Sequence, residues 1–243
     1  MRIFRYDSLT STNTEASSIA SELSHGDTIV AYEQTSGRGQ RGNSWESEPG
    51  KNLTFSLYLR PDKIEASKSF LLSMAVSVGI VNALKRFLPD ENIEIKWPND
   101  IYLNDRKLAG ILIENTFVGP FISQSIVGIG LNVNQKKFVS DAPNPVSMSQ
   151  IMDKEFDKEI ILKTVVESII LNLGLVNVTK KLLDYYHSSL WRREGEYLWC
   201  EPEGHPFKAS IIEVKPSGHL VLENSDGVIK SYLFKEVFPY DFH

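Results

Sequence analysis

The sequence is poor in cysteine, and Cys200 is the only one in the chain. A single thiol forms neither an internal disulfide framework nor a cysteine-rich metal site. The five histidines are scattered along the chain without the spacing of metal ligands. Because structural disulfides belong to oxidising compartments, their exclusion favours a reducing one, and we expect a cytoplasmic protein.

Positive charge and long apolar runs are also scarce. The formal net charge is -5, whereas a generic nucleic-acid binder carries a strong basic excess. Residues 1–9 mix charged and apolar positions and contain no signal-peptide core. The longest apolar stretch, residues 70–84, is interrupted by serine and asparagine, which makes it too short and too polar to span a bilayer. We therefore expect neither a nucleic acid nor a membrane as a partner.

The periodicity of the chain is that of a mixed α+β protein. Residues 11–23 and 65–87 have helical spacing, as do residues 158–190 with an interruption near Gly174. Strand-like runs lie at residues 28–33, 52–59, 93–97, 101–103, 108–115 and 124–133. The run 52–59 alternates as a half-buried strand does, and Asn104-Asp105 predicts a hairpin turn.

The residue pattern of the sequence changes after Trp191. Short β-rich runs at residues 197–200, 207–214, 219–222 and 228–234 are separated by turn residues. This pattern predicts a small β-barrel appended to the α+β domain. We place the boundary so that residues 1–190 form the first domain and residues 191–243 the second.

A glycine- and arginine-rich segment, residues 37–42, is the least ordinary stretch of the chain. Gly37, Gly39 and Gly42 allow the backbone to pass close to a ligand, and Arg38 and Arg41 add fixed positive charge. This suits a phosphate or carboxylate clamp, although neither the P-loop ending nor the Rossmann spacing is present. A flexible polar surface loop is an equally good interpretation of the composition alone.

Three further segments carry residues suited to chemistry. In Lys96-Trp97-Pro98-Asn99-Asp100, the lysine suits a phosphate and Asp100 suits Mg²⁺, or the two form a surface ion pair at a hairpin entry. Residues 107–114 form an apolar strand in which Lys107 reaches an anion from the rim, or is simply solvated. Gly110 within that strand is typical of close ligand approach.

The segment 128–134 contains Gly128 and Gly130 on one face of a predicted strand. Their missing side chains predict a slot for a flat ligand, with a bulge or tight sheet packing as the alternative.

Taken in order, these segments closely resemble the biotin–protein ligase family over nearly the whole chain. The resemblance rests on Ser11-Thr12-Asn13, the loop 37–42 followed by Trp45, the Lys-Trp-Pro-Asn-Asp segment 96–100, and the segments 107–114 and 128–134. It implies a catalytic domain akin to the class II aminoacyl-tRNA synthetase fold, with a mixed sheet, followed by an SH3-like barrel. The implied activity is ATP- and Mg²⁺-dependent formation of biotinyl-AMP and transfer of biotin to a lysine of a biotin carboxyl carrier domain.

The resemblance also implies roles for individual residues. Lys107, Arg38 and Asp100 are the expected catalytic residues, with Asp100 ordering Mg²⁺ or the acceptor lysine. The remaining residues are expected to bind substrate: Ser11, Thr12, Asn13 and Gln34 at the biotin floor; Gly37, Gly39, Gln40 and Arg41 in the closing loop; Trp45 and Asn132 at the adenine; and Lys96, Gly110 and Gly128 elsewhere in the pocket.

Two departures from the family pattern stand out. Ser11-Thr12-Asn13 lies so near Met1 that a preceding DNA-binding helix-turn-helix is not expected, which predicts a monofunctional ligase. The family loop usually reads Gly-Arg-Gly-Arg, but Gln40 replaces the second arginine, which predicts weaker retention of the adenylate unless Arg41 substitutes. A lipoate–protein ligase and a non-catalytic biotin-binding regulator are the competing interpretations, and homodimer formation through a strand edge stays open.

Overall fold

The computed structural model describes residues 1–139 and 144–240. It has two sheets with helices packed on the larger one. The strands are β1 (Ile3–Leu9), β2 (Thr28–Gln34), β3 (Leu53–Leu59), β4 (Ile93–Lys96), β5 (Asp100–Leu103), β6 (Arg106–Val118), β7 (Phe121–Leu131), β8 (Tyr197–Cys200), β9 (Phe207–Val214), β10 (Leu220–Asn224), β11 (Ile229–Tyr232) and β12 (Phe238–Pro239). The α-helices are α1 (Thr12–Ser18), α2 (Phe70–Leu84), α3 (Met148–Met152), α4 (Lys158–Leu173) and α5 (Thr179–Ser188).

The larger sheet has seven strands in the order β1-β2-β3-β7-β6-β5-β4. The pair β1 and β2 is parallel, and the other pairs are antiparallel, so the expected mixed sheet is confirmed. Asn104 and Asp105 both have positive φ, 48° and 62°, in the turn between β5 and β6. This is the backbone that the predicted hairpin turn requires.

The strand β3 lies at the centre of the sheet and is buried on both faces. Phe55 and Leu57 belong to the main core, which also contains residues of α2 and α4. On the opposite face, Tyr58 packs in a smaller cluster with Ala16 of α1. The expectation of a half-buried strand was therefore wrong, because helices cover both sides of this part of the sheet.

Three elements were not predicted: β1, α3 and β12. In β1, apolar positions are mixed with charged ones, and the charged residue just before the strand, Arg2, serves a structural purpose. The Asp27 carboxylate, just before β2, accepts hydrogen bonds from the Arg2 backbone and guanidinium. Burial alone would raise the pKa of Asp27, but the hydrogen bonds from Arg2 and Ser24 outweigh it and lower that pKa. The pair β1–β2 is thus fixed where it begins.

One helical stretch among the described residues, Ala66–Leu84, is long and apolar enough to cross a membrane by length and composition alone. The expectation of no membrane span concerned the shorter run Phe70–Leu84, which has 15 residues. Of the longer stretch, 67% is buried within the fold, where α2 packs against α4, α5 and the sheet. Its apolar residues therefore build the protein core.

The smaller sheet is antiparallel, with five strands in the order β11-β10-β9-β8-β12. Its buried residues, among them Trp199 and Leu220, belong to the same apolar cluster as the core of the larger sheet. The link between the two is local as well: the Ile95 backbone of β4 pairs with Ser189 and Trp191. The C-terminal sheet is thus held against the edge of the larger one.

Candidate functional site

A cavity of 490 Å³ lies on the α1 side of the larger sheet and is bounded by residues of the C-terminal sheet. Its lining includes most of the residues that the sequence singled out: Ser11, Thr12, Asn13, Gln34, Arg38, Gly39, Gln40, Trp45, Lys96, Asp100, Lys107, Gly110 and Gly128. Residues separated by more than a hundred positions in the sequence therefore meet in one place.

Two predicted residues stand apart from this lining. Gly37 lies in the stem of the loop, where its carbonyl accepts a hydrogen bond from Trp45 N. Asn132 is buried behind the wall, and its Nδ2 donates to the carbonyl of Val146 at 3.1 Å. The side chain of Arg41 lies outside the described part of the structure.

The floor of the cavity is a buried hydrogen-bonded cluster. The Gln34 Oε1 atom accepts from the Thr12 backbone N at 2.8 Å and from the Thr12 hydroxyl at 3.1 Å. The Ser56 hydroxyl lies 2.8 Å from Thr12 Oγ1 and 2.6 Å from Asn13 Oδ1. Thr12, Asn13 and Ser56 are buried, so these bonds fix the orientation of the polar floor. Sequence reasoning missed Ser56, which appeared only as a polar position of a strand.

Ser11 occupies the N-cap position of α1, as its residue type predicts, but its hydroxyl makes no capping bond. The side chain instead lines the cavity and is only 5% exposed. The residue type that favours a helix start therefore supplies a polar group to the site.

Lys107 and Asp100 form an ion pair in the wall of the cavity, with 2.9 Å between Lys107 Nζ and Asp100 Oδ1. Their side chains are 21% and 20% exposed. In the antiparallel register of β5 and β6, Asp100 is opposite Gly110 and Lys107 is opposite Tyr102, so the two charged side chains meet diagonally across the strands. The Lys107 ammonium also lies 5.8 Å from the centre of the Trp45 ring. The Lys107 ammonium is thus held beside a carboxylate at the pocket.

Lys96 also lines the cavity, but its ammonium is engaged. It donates to the Tyr102 hydroxyl at 2.6 Å and lies 4.5 Å and 4.9 Å from the ring centres of Tyr102 and Trp191. Lys96 therefore ties β4 and β5 to the start of the C-terminal segment.

The turn that follows Lys96 is fixed by its own side chains. The Trp97 indole N–H donates to the carbonyl of Gly218 in the C-terminal sheet at 3.0 Å. The Asn99 amide donates to the carbonyl of Ile111 at 2.9 Å, so the turn is attached to β6. The peptide between Trp97 and Pro98 is cis. Together these contacts hold Asp100 at the edge of the cavity.

The glycine- and arginine-rich loop forms a small hairpin over the cavity. Gly39 N donates to the carbonyl of Asn43 at 2.7 Å, and Trp45 N donates to the carbonyl of Gly37 at 3.0 Å. The Arg38 guanidinium forms an ion pair with Glu114 of β6 at 3.2 Å, with both side chains more than 40% exposed. The loop therefore has internal structure, but only a few contacts attach it to the sheet.

The slot predicted at Gly128 and Gly130 exists, but side chains of this chain fill it. A Cβ atom at Gly128 would lie 2.3 Å from Asn13 Oδ1, and one at Gly130 would lie 2.2 Å from the Trp45 ring. The prediction of an open slot for a flat ligand was therefore wrong in detail. The glycines let Asn13 and the Trp45 indole pack directly on the sheet.

The C-terminal sheet contributes a wall that sequence reasoning did not anticipate. The contributing residues are Phe234, Lys235, Val237, Phe238 and Pro239. Among them, Phe234 packs edge-on against Trp97, with ring centres 6.2 Å apart. The sequence offered no signal for this contact, because it depends on how the second sheet is placed against the first.

The cavity combines a polar floor, apolar sides and several cationic side chains, among them Arg38 and Lys107. Cations placed where negative charge concentrates lower the barrier for reactions between anions. Arg38 and Lys107 provide such charge, and Thr12 with Gln34 provides fixed donors and acceptors. The geometry suits a small acid bound on the floor and activated by a polyanion.

Comparison with solved structures identifies the fold class. The chain superposes on a biotin protein ligase from Aquifex aeolicus, solved in complex with biotin and ATP, with a TM-score of 0.81. The match covers 98% of this chain and 99% of that one at 24% sequence identity, so it establishes a shared fold.

The sequence then shows the family. Residues 3–132 match the model of the biotin/lipoate A/B protein ligase family, and the chain belongs to that family.

Two curated relatives carry the same name, bifunctional ligase/repressor BirA. The protein of Salmonella typhimurium is 40% identical over 124 residues, which are 51% of this chain and 38% of the relative. The protein of Bacillus subtilis is 29% identical over an alignment of 243 positions, which covers 93% of this chain and 71% of the relative. The chain thus matches less than half of the first relative's length.

Proposed function

We propose that this protein is a biotin–protein ligase. In this proposal it joins biotin to ATP as biotinyl-AMP and then transfers biotin to a lysine of an acceptor protein. The observation that carries the proposal is the cavity in which a buried polar floor at Thr12, Asn13 and Gln34 lies close to the cations Lys107 and Arg38.

The floor suits the ureido group of biotin. A ureido group has one strong acceptor and two N–H donors, so it needs several fixed polar partners. The Ser11 hydroxyl and the Thr12–Gln34 pair supply them, whereas Leu112 and Ile129 provide apolar contact for the rest of the ligand. A buried polar group left without a partner is costly, which is why this floor favours biotin over an apolar acyl chain.

The first chemical step needs positive charge. A carboxylate oxygen of biotin attacks the α-phosphorus of ATP, the bond to the β-phosphate oxygen breaks, and pyrophosphate leaves. Both reactants are anions, so the Lys107 ammonium and the Arg38 guanidinium stabilise the charge that concentrates between them. Holding both reactants in one cavity also contributes through their alignment.

The second step transfers biotin to the acceptor. The acceptor amine attacks the carbonyl carbon of the mixed anhydride, AMP leaves with the bonding electrons, and the amine loses a proton. In this proposal Asp100, which lies in the wall beside Lys107, takes that proton.

Magnesium enters this proposal as the Mg²⁺ complex of ATP. Within residues 1–139 and 144–240 there is no group of three or more metal-ligating side chains. Asp100 is the carboxylate of the lining, and a lone carboxylate together with phosphate oxygens is a common way to hold Mg²⁺.

The adenine is proposed to lie near Trp45. The indole packs over Gly110 and Gly130, and its buried N–H has no hydrogen-bond partner among the described residues. Asn132 lies behind this wall with a buried Oδ1 that likewise lacks a partner there. Gly37, Gly39, Gln40 and Arg41 complete the proposed closing loop.

Finer features of the fold belong to the same proposal. We assign the larger sheet to the class II aminoacyl-tRNA synthetase-like fold and the five-stranded antiparallel sheet to an SH3-like barrel, with the boundary between residues 190 and 191. The change from helices to short antiparallel strands after α5 supports this division. The proposed acceptor is a biotin carboxyl carrier domain in the cytoplasm.

The test is incubation of the protein with Mg·ATP, an acceptor carrier domain and either biotin or lipoate, followed by the mass of the carrier. We expect addition of biotin and no addition of lipoate. Lys107→Ala should lower the labelling rate by about 10²–10³-fold, as loss of a charge-stabilising donor does. The matched control Lys68→Ala, remote from the cavity, should label at the normal rate. Lipoate transfer, or no labelling by the wild type, would refute the proposal.

A further inference from the structure

Glu114 on β6 connects the floor of the cavity to the loop above it. Its carboxylate accepts a hydrogen bond from Asn13 Nδ2 at 2.7 Å and from Arg38 Nη2 at 3.2 Å and 3.3 Å. Asn13 belongs to the floor, and Arg38 belongs to the hairpin of residues 37–45. Glu114 is outside the lining of the cavity, so none of the roles assigned above includes it.

The Asn13 side of this connection is rigid. The residue is 2% exposed, its Oδ1 atom lies 2.6 Å from the Ser56 hydroxyl, and its Nδ2 also donates to the carbonyl of Leu112 at 3.3 Å. Its amide packs on Gly128, where even a Cβ atom would lie 2.3 Å from Oδ1. The hydrogen bond from Asn13 therefore fixes the Glu114 carboxylate to a rigid part of the molecule.

The Arg38 side is attached to the loop. Arg38 and Ser44 form a β-bridge, and the backbone bonds of Gly39 and Trp45 close the same hairpin. Fixing the Arg38 guanidinium therefore restrains the whole hairpin. The ion pair is about half exposed to solvent, and such pairs add little to global stability. Its effect is on the position of the loop.

The geometry also decides whether Glu114 competes with a bound anion for Arg38. Both hydrogen bonds involve one guanidinium nitrogen, Nη2. A guanidinium has five N–H donors in a planar fork, so Nε and Nη1 are left to face an anion in the cavity. Glu114 and a substrate can thus engage Arg38 together.

We infer that Glu114 is a positioning residue that carries the rigidity of the Asn13–Ser56 floor to Arg38 and so holds the glycine- and arginine-rich loop closed over the cavity. For its catalytic consequence this inference rests on the proposed ligase function. Its structural part concerns the free protein and needs no substrate.

The first measurement is hydrogen–deuterium exchange of the free protein carrying Glu114→Gln. Loss of the carboxylate charge should speed exchange in peptides covering residues 37–45 about two- to fivefold, the range that exposed ion pairs support. Exchange in β3 should be unchanged. The matched control is Glu159→Gln, which removes the exposed pair with Arg5 far from the loop and should leave residues 37–45 unaffected. Unchanged loop exchange in Glu114→Gln would overturn the inference.

The second measurement separates positioning from a general structural effect. In an Arg38→Gln background, Glu114→Gln should add no further loop exchange, because the pair is already broken. Additive effects would show that Glu114 acts by another route and would overturn the inference. In the ligase reaction, Glu114→Gln should speed release of biotinyl-AMP about two- to fivefold. If the wild type forms no adenylate, the proposed function fails, while the exchange result still judges the role of Glu114.

Discussion

The floor and the loop of the cavity are held in opposite ways. At the floor, Thr12, Asn13 and Ser56 are buried and joined by hydrogen bonds of 2.6 and 2.8 Å. In the loop, Arg38 is half exposed, and the hairpin contacts the sheet through the Trp45 ring and the Arg38–Glu114 ion pair. A rigid floor recognises one ligand without a reorganisation cost, whereas a loop with few anchors can open to admit it.

The two glycines of β7 offer a way to test this contrast, because each supports one of the two regions. Gly128 lies under Asn13 of the floor, and Gly130 lies under Trp45 of the loop. The glycines are two residues apart on the same strand, so the same substitution probes both regions in nearly the same backbone environment.

Of the two glycine substitutions, Gly128→Ala is expected to have the larger effect. The new methyl group meets an Asn13 side chain that Ser56 and Glu114 hold in place, so the floor must deform. Overpacking of this kind costs about 1–3 kcal/mol, which corresponds to about 5- to 150-fold in the Kd for biotin when the strain falls on the site. Isothermal titration with biotin alone and thermal unfolding would together measure it. Normal biotin affinity with normal stability would show that the floor is not rigid.

Gly130→Ala should act on the loop instead. The methyl group displaces the Trp45 ring, which lies on a hairpin that can lift. Biotin affinity measured without nucleotide should stay within about twofold of wild type, whereas the KM for ATP should rise about tenfold, as loss of base–aromatic stacking allows. A loss of biotin affinity equal to that of Gly128→Ala would remove the distinction between the two regions.

The sequence predicted the floor of the site better than the contacts that surround it. The residue types of Ser11, Thr12, Asn13 and Gln34 and the resemblance of their segments indicated the floor. The turn between β5 and β6 was predicted, but the ion pair of Lys107 with Asp100 was not. Contacts that depend on tertiary placement were missed, such as Ser56 beneath the floor and Phe234 in the wall.

The fold was predicted where local pattern decides structure. The interruption near Gly174 appears as a 3-10 segment, Gly174–Val178, between α4 and α5. By contrast, β3 was expected to be half-buried, but it is buried on both faces. The alternation of residues along a strand does not reveal that a second helix layer covers its polar face. The filled slot at Gly130 has a similar origin, since the occupant, Trp45, is distant in sequence.

The smallest expected effect concerns Gln40, which lines the cavity from the loop where the family pattern has arginine. Gln40→Arg adds a charged donor that can bond a phosphate oxygen, and charge-assisted bonds are stronger than neutral ones. Because the position belongs to a loop open to solvent, we expect release of biotinyl-AMP to slow by only about two- to tenfold. The control Gln40→Met keeps the length of the glutamine side chain and adds no positive charge, so it should not slow release. The release rate can be measured by rapid filtration. If Gln40→Arg releases biotinyl-AMP at the wild-type rate, the rigid floor alone retains the adenylate, and the loop only closes the cavity.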